Sequence, residues 1–147
     1  LGNSYLKNGI YEEAVKCYEL AIKLKPEYSI NYLNIAVCYK DMGRLRDAIA
    51  NFLTYSNLNP GDKNIFIAIA DCYASDNNFS KAISFYEKYL TGSPNDYFAL
   101  FKLAECYRMQ GAIEAAEIGY KQALKLKTDF MPAKNALLLL SGVKADA

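Results

Sequence analysis

Apolar residues recur along the chain at the spacing of one helical face. Two such stripes follow each other between residues 32 and 52: Tyr32, Ile35, Ala36 and Tyr39, then Leu45, Ala48, Ile49 and Phe52. Residues spaced i, i+3, i+4 and i+7 share one side of an α-helix, so both stripes are amphipathic. Gly43 lies between them, where a turn can use the positive φ that glycine adopts without strain. The pattern predicts two helices joined by a short turn.

The same pattern returns with a fixed period of 34 residues. Its key positions are Ala36, Tyr39, Gly43, Phe52 and Pro60, then Ala70, Tyr73, Asn77, Tyr86 and Pro94, then Ala104, Tyr107, Gly111, Tyr120 and Thr128. No insertion or deletion interrupts this register. A period of this size indicates an array of helix pairs that stack on their neighbours.

The period divides the chain into elements of one expected domain, residues 1–147: a partial repeat at 1–28, repeats at 29–62, 63–96 and 97–130, and a capping helix at 131–141. Helices are expected at 11–24, 29–42, 46–58, 63–76, 80–92, 97–110 and 114–126. Pro26, Pro60 and Pro94 follow the second helices and end them. Alanines at matching positions, such as Ala36 and Ala48, should let paired helix axes approach to the lower part of the roughly 8–10 Å range.

These residues resemble the tetratricopeptide repeat family, whose pattern is an aromatic residue, L-G-x2-Y, A-x3-F and Pro. The resemblance covers Leu1 to about Ser141. Ala replaces Gly beside the Leu or Ile in three repeats, Thr128 stands for Pro, and Asn77 stands for Gly as the next best residue at positive φ. The resemblance implies an all-α fold, a right-handed alpha-alpha solenoid of tetratricopeptide helix-turn-helix repeats with a concave inner face. It also implies a binding module, without naming the partner.

Composition narrows the class of partner. The chain has 147 residues, of which 52% are hydrophobic, and a net charge of +1. A charge this close to zero argues against nucleic acid or an anionic membrane as the main partner. No apolar run approaches the ~18 residues of a membrane span, so direct membrane insertion is not expected. Leu1 falls within a helix of the repeat register, and we therefore expect the chain to be a fragment of a longer protein.

Four cysteines raise the question of redox or metal chemistry. Cys38, Cys72 and Cys106 are 34 residues apart, one per repeat. Equivalent sites on neighbouring helices are roughly 8–10 Å apart, whereas a disulfide needs Cα atoms within about 7 Å. The chain has no histidine and no closely paired thiols, so no metal site or cofactor is expected. We expect four free thiols, these three buried, and a cytoplasmic location.

Catalytic motifs are also missing from the sequence. It has neither a histidine base nor a phosphate-binding glycine loop nor a nucleophile elbow. Asp71 has no partner for general acid–base chemistry, and tyrosines such as Tyr120 fall on packing positions rather than in a base-stacking stripe. We therefore expect no catalytic residues and a non-catalytic interaction scaffold. A recruiting arm of a multidomain enzyme stays open as an alternative; a pentatricopeptide-like RNA binder is disfavoured by the charge and the strict period.

The resemblance also implies where a partner binds, because in the family the first helix of each pair lines the concave groove. Carried onto this register, the partner-binding residues are Asn3, Lys7, Leu33, Asn34, Val37, Lys40, Asn64, Ile67, Asp71, Phe98, Phe101, Lys102, Glu105 and Arg108. Leu33, Ile67 and Phe101 occupy one column of equivalent sites. An apolar strip with polar neighbours is typical of a groove for a peptide or protein segment. A missing part of the same chain is the other occupant left open.

Chaperone-binding members of the family suggest a more specific hypothesis. They hold a C-terminal carboxylate with a Lys and an Asn in one repeat, an Asn in the next, and a Lys and an Arg in the third. Asn3 and Asn34 match the Asn positions, but Asn64 and Ala68 stand where the Lys and Arg belong. Without paired cations the carboxylate loses its charge-assisted hydrogen bonds, so a co-chaperone role is disfavoured.

The last helix carries more leucines than one packing face can use. Leu137 and Leu138 are expected to cover the fourth repeat, which leaves Leu139 or Leu140 facing the groove end or solvent. Exposed apolar surface at the end of a solenoid favours association. The sequence thus predicts self-association through the C-terminal helix, with a monomer whose tail folds back over Leu140 as the alternative left open.

Overall fold

The computed structural model describes residue 2 and residues 9–146, with side chains as far as residue 142. Residues 9–146 contain eight α-helices and no β-strand: α1 Tyr11–Leu24, α2 Ser29–Asp41, α3 Leu45–Leu58, α4 Ile65–Ser75, α5 Phe79–Gly92, α6 Tyr97–Met109, α7 Ile113–Leu126 and α8 Met131–Asp146. The chain forms two compact units, which we call unit 1 (Leu1–Asp76) and unit 2 (Asn77–Ala147). Each unit is described by itself.

The turns between paired helices follow the predicted glycine positions. Gly43 has φ +76°, and the N–H of Arg44 donates to the carbonyl of Tyr39 at 2.8 Å, as in a Schellman motif. Asn77 takes the same left-handed conformation with φ +58°. The prediction that Asn77 replaces glycine at the turn is therefore confirmed, and the tolerance of asparagine for this region explains it.

Most helix limits lie within one residue of the expected positions, and two differ by more. Helix α4 begins at Ile65 rather than 63; in the loop before it, the carboxylate of Asp62 accepts a hydrogen bond from the N–H of Asn64 at 3.1 Å. Helix α8 continues to Asp146 instead of stopping at 141. The turn glycine of the other repeats is replaced there by Ala145, which favours continued helix.

A tyrosine–aspartate pair joins a second helix to the loop that follows it, once in each unit. The hydroxyl of Tyr55 donates to Asp62, and that of Tyr89 donates to Asp96, both at 2.8 Å. The hydrogen bond raises the pKa of each tyrosine, with burial adding to it. Asp96 also caps α6 by accepting from the N–H groups of its first turn. The pair therefore couples the end of one helix to the start of the next.

Small residues lie at the centre of both cores. Ala36 and Ala48 in unit 1, and Ala104 and Ala116 in unit 2, are fully buried. A Cβ added to Gly119 would come within 2.7 Å of the Cβ of Ala104, so α6 and α7 approach closely at this point. Residues without long side chains are required where helix axes cross this closely.

Helix α8 packs on unit 2 through a different face from the one expected. Leu140 is buried with Ala133 and Ala136, whereas Leu138 and Leu139 are each 71% exposed. The prediction that Leu138 covers the fourth repeat is wrong, and Leu137 is only partly buried against the core. Ala133, Ala136 and Leu140 are spaced i, i+3 and i+7 and thus share one side of the helix. Leu138 lies away from that side.

The cysteines are free, and the expectation that Cys38, Cys72 and Cys106 are buried is confirmed; Cys17 is half-buried. Burial raises the pKa of Cys72 to about 11, which keeps it a thiol at neutral pH. Within the described part of the chain, no cluster of three or more His, Cys, Asp or Glu side chains could hold a metal ion. Across the same residues, no helix combines the length and apolarity needed to cross a membrane.

Replacing Ala48 by leucine is expected to overpack the α2–α3 crossing and to lower the free energy of unfolding by about 1–3 kcal/mol. Ala50 lies on the exposed side of the same helix, so Ala50→Leu should change it by less than about 0.5 kcal/mol. Urea unfolding followed by circular dichroism measures both. Equal stability of the two variants would contradict a close crossing at Ala48.

Candidate functional site

The predicted partner-binding residues from 33 onwards lie on the first helices α2, α4 and α6, except Asn64, which caps α4. None of them is fully buried. Asn3 and Lys7 fall outside the described residues. Because the set is divided between the two units, it forms two surfaces, which we call the unit 1 surface and the unit 2 surface.

The unit 1 surface consists of aliphatic side chains with polar neighbours. Leu33 and Val37 on α2 are half-buried, as is Ile67 on α4, while Lys40 is exposed. Burial raises the pKa of the Cys72 thiol, and the charge of Lys40 opposes that rise. The ammonium group of α2 thus lies near α4. Asn34, Asn64 and Asp71 complete the predicted set in this unit.

Aromatic rings dominate the unit 2 surface at the start of α6. The rings of Phe98 and Phe101 stack with centroids 6.3 Å apart. Phe130 meets both rings edge-on, at 6.1 Å from Phe98 and 5.2 Å from Phe101. Phe98 is 45% exposed, and the Nζ of Lys102 lies 4.7 Å from its centroid. This cluster presents an aromatic face edged by a cation.

One helical turn further along α6, Glu105 holds Arg108 in place. Its Oε1 accepts from Nε of Arg108 at 3.3 Å and its Oε2 accepts from Nη2 at 2.9 Å. The hydroxyl of the buried Tyr120 on α7 donates to the same carboxylate. Burial alone would raise the pKa of Glu105, but the hydrogen bonds from Arg108 and Tyr120 outweigh it and lower the pKa. Glu105 therefore stays ionised, and its two hydrogen bonds hold the guanidinium of Arg108 in place.

Two residues that contact members of the unit 2 surface were missed by the sequence analysis. Tyr120 was assigned to core packing, which its burial confirms, but its hydroxyl also reaches Glu105. Phe130 was not predicted at the site. The repeat register contained the signal, because Phe130 stands where Asp62 and Asp96 stand in the preceding repeats. Phe130 replaces the loop aspartate found at this position in the preceding repeats, which predicts that the loop directs this side chain towards the core.

Sequence-family models described as tetratricopeptide repeat match residues 1–28, 33–97 and 73–139. The first range stands apart, and the other two overlap at residues 73–97. They therefore cover both units, including the helices that carry both surfaces.

Solved structures with the same fold have little sequence in common with the chain. A MamA structure from Desulfovibrio magneticus RS-1 superposes with a TM-score of 0.89 at 16% identity, over 99% of this chain and 82% of that one. A tetratricopeptide repeat protein from Parabacteroides merdae ATCC 43184 gives 0.88 at 18% identity, over 99% and 58%. YrrB, described as a TPR protein with an unusual peptide-binding site, gives 0.82 at 20%, over 92% and 70%. These similarities establish an all-α helical-repeat solenoid as the fold class.

Removing the Tyr120 hydroxyl should raise the pKa of Glu105 towards the ordinary value, since one of the hydrogen bonds that lower it is lost. A carboxyl-carbon NMR titration of Tyr120→Phe measures this change. Tyr107→Phe is the control, because Tyr107 donates to Glu87 instead.

The same lowered pKa makes stability depend on pH. The contribution of ionised Glu105 is present above the unfolded-state pKa of about 4.3 and is lost as pH falls through the lower folded-state value. Near pH 6, the unfolding free energy of the wild type should be larger than that of Glu105→Gln by about 1 kcal/mol or more. This difference should become smaller at acidic pH. A difference that does not depend on pH would contradict the network.

Proposed function

Because the chain belongs to the tetratricopeptide repeat family, we propose that it is a non-catalytic scaffold that binds a protein or peptide segment through its first helices. The contact would be made by the unit 1 surface, the unit 2 surface or both. The observation that carries the proposal is the aromatic cluster of unit 2, in which Phe98 is exposed beside Phe101 and Phe130. Exposed aromatic residues edged by charges are characteristic of interface anchors.

A protein or peptide partner is favoured over nucleic acid for an electrostatic reason. Nucleic-acid binding relies on several phosphate contacts from a basic stripe. The predicted binding residues hold four cations, Lys7, Lys40, Lys102 and Arg108, interspersed with the carboxylates of Asp71 and Glu105, and the net charge of the chain is only +1, so they do not form a basic stripe. A cytoplasmic location belongs to the same proposal, and the free, mostly buried thiols support it.

Lysine substitutions on each surface test the proposal. Peptides are first selected from a random phage-displayed library with the chain as bait, and their affinities are then measured by fluorescence anisotropy. Phe101→Lys or Ile67→Lys should weaken binding about tenfold or more, because the ammonium group would be desolvated under the peptide. Ile118→Lys and Leu20→Lys, both on exposed sites of second helices, are the matched controls. Circular dichroism confirms that each variant is folded.

Unchanged affinity in both Phe101→Lys and Ile67→Lys would place the binding site elsewhere on the chain. If the two control variants lose as much peptide affinity as Phe101→Lys and Ile67→Lys, any added charge disturbs binding. That result would also contradict the proposed surfaces.

Self-association through α8 is proposed as a second property, because Met131, Leu138 and Leu139 are exposed on this helix. Met131, Asn135, Leu138 and Gly142 are separated by four, three and four residues, the spacing of a helix–helix seam. A Cβ added to Gly142 would meet open space, so a neighbouring helix could approach closely. The occupant we propose is α8 of a second copy, packed antiparallel about Leu138, since this arrangement places each Asn135 near the other copy's Gly142 in a symmetric contact.

Replacing both Leu138 and Leu139 by lysine is expected to abolish this association, since both side chains are 71% exposed and would be covered in the dimer. Sedimentation velocity over a concentration series measures the effect, with Ile118→Lys as the control. A wild-type chain that stays monomeric at every concentration, or a double variant that associates like wild type, would show that α8 is not the contact.

A further inference from the structure

We propose that the unit 2 surface selects an extended peptide in which an aromatic or aliphatic residue and an Asp or Glu are about four positions apart. Phe98 and Phe101 receive the apolar side chain, and Arg108 receives the carboxylate. The inference rests on the proposed function and deepens it by naming the chemistry of the partner at one of the two surfaces.

The first support is the way Arg108 is presented. Glu105 engages only one edge of the guanidinium, through Nε and Nη2, out of five N–H donors. The side chain remains 39% exposed. Because Glu105 is itself held by the buried Tyr120, the guanidinium is fixed before a partner arrives. A fixed guanidinium loses less side-chain entropy when it binds a carboxylate, and it can do so with paired hydrogen bonds.

The second support is that repeat packing does not require this network. In the repeat 29–62, Val37 occupies the position of Glu105 and Phe52 that of Tyr120. Phe52 is fully buried in unit 1, so that core packs without the hydroxyl. Lys40 stands at the position of Arg108, and Val37 offers it no carboxylate support. In the repeat 63–96, Asp71 and Tyr86 stand at the positions of Glu105 and Tyr120, but Ala74 takes the place of Arg108. Among these three repeats, the paired guanidinium is thus an addition of repeat 97–130.

The third support is the local charge. Both carboxylate oxygens of Glu105 already accept hydrogen bonds from Arg108, and Tyr120 donates to the group as well. Lys102 lies one turn before Glu105 on the same side of α6, with its Nζ over the ring of Phe98. An incoming side chain therefore meets the cations of Lys102 and Arg108 beside the single carboxylate of Glu105, a local net charge of +1. This balance favours an acidic side chain over a basic or neutral one.

The spacing follows from helix and strand geometry. Phe101 and Arg108 are seven residues apart on α6, which corresponds to a rise of about 10 Å. Phe98 lies one turn earlier and extends the distance to about 15 Å. An extended peptide advances about 3.3 Å per residue, and only residues an even number of positions apart share a face. A spacing of four, about 13 Å, therefore brings both side chains to the two sites from one face. The chemistry excludes a lysine or arginine at the acidic position, because it would face Arg108 directly.

The experiment is the phage-displayed random-peptide selection, carried out in parallel on wild type, Arg108→Gln and a matched control. Arg46→Gln is that control, because its side chain is exposed in unit 1 and pairs only distantly with Asp76, at 3.5 Å. Wild type and Arg46→Gln should enrich peptides with the acid at the stated spacing. Arg108→Gln should keep the apolar preference and lose the acidic one. In synthetic peptides, changing Glu to Gln should weaken binding about tenfold to wild type and less than twofold to Arg108→Gln.

Several outcomes decide between the inference and the proposed function. Acid enrichment that persists in Arg108→Gln, or peptides without an acid at that spacing, would overturn the inference. If either of these outcomes is found and Phe101→Lys still weakens binding, the proposed function stands although the inference fails. Enrichment of no peptide by wild type would overturn both. Tyr120→Phe adds a separate readout, since a loosened Glu105 should reduce the Glu-to-Gln discrimination while leaving binding of the apolar residue unchanged.

Discussion

The close crossing of two helices within a repeat is the constraint on which the other features of the structure depend. In unit 2, Ala104 on α6 and Gly119 on α7 leave no space for an added methyl group between them. The alanines of unit 1 are equally buried. Short turns join the two helices of each pair, and residues with positive φ supply them. The crossing occupies one side of each first helix and leaves the opposite side for other contacts.

The aromatic side chains that pack near the loops come from different positions in the middle repeats and in the last repeat. Where the second helix carries Tyr55 or Tyr89, the following loop carries an aspartate that accepts its hydroxyl hydrogen bond. Where α7 carries Ala123 instead, the loop carries Phe130, which packs against the cluster that contains Ala123. In the first two cases the second helix supplies the aromatic ring, and after α7 the loop supplies it through Phe130. An aromatic side chain therefore fills the core next to the loop in each case. A consequence is that Phe130 reaches the surface beside Phe98 and Phe101.

Glu105 shows how a residue on the binding side of a helix can act without contacting the partner. Its position in the repeat register assigns it to the groove, but its carboxylate is occupied by Arg108 and by the buried Tyr120. Its lowered pKa keeps it charged in this role. In the proposed binding mode, Glu105 positions Arg108, and the guanidinium and the phenylalanines recognise the partner. A basic group held in this way can be selective although the net charge of the chain is only +1.

The sequence by itself determined the repeat period, the helix pairs, the turn residues Gly43 and Asn77, and the burial of the alanines and cysteines. Each of these depends on spacing within one helix or one turn, which a periodic sequence records directly. Only the tertiary structure decided that α8 packs through Leu140 and exposes Leu138, that Phe130 joins Phe98 and Phe101, and that Tyr120 reaches Glu105. These contacts join different helices, and the direction of a side chain across a helix interface depends on packing that no single helix encodes.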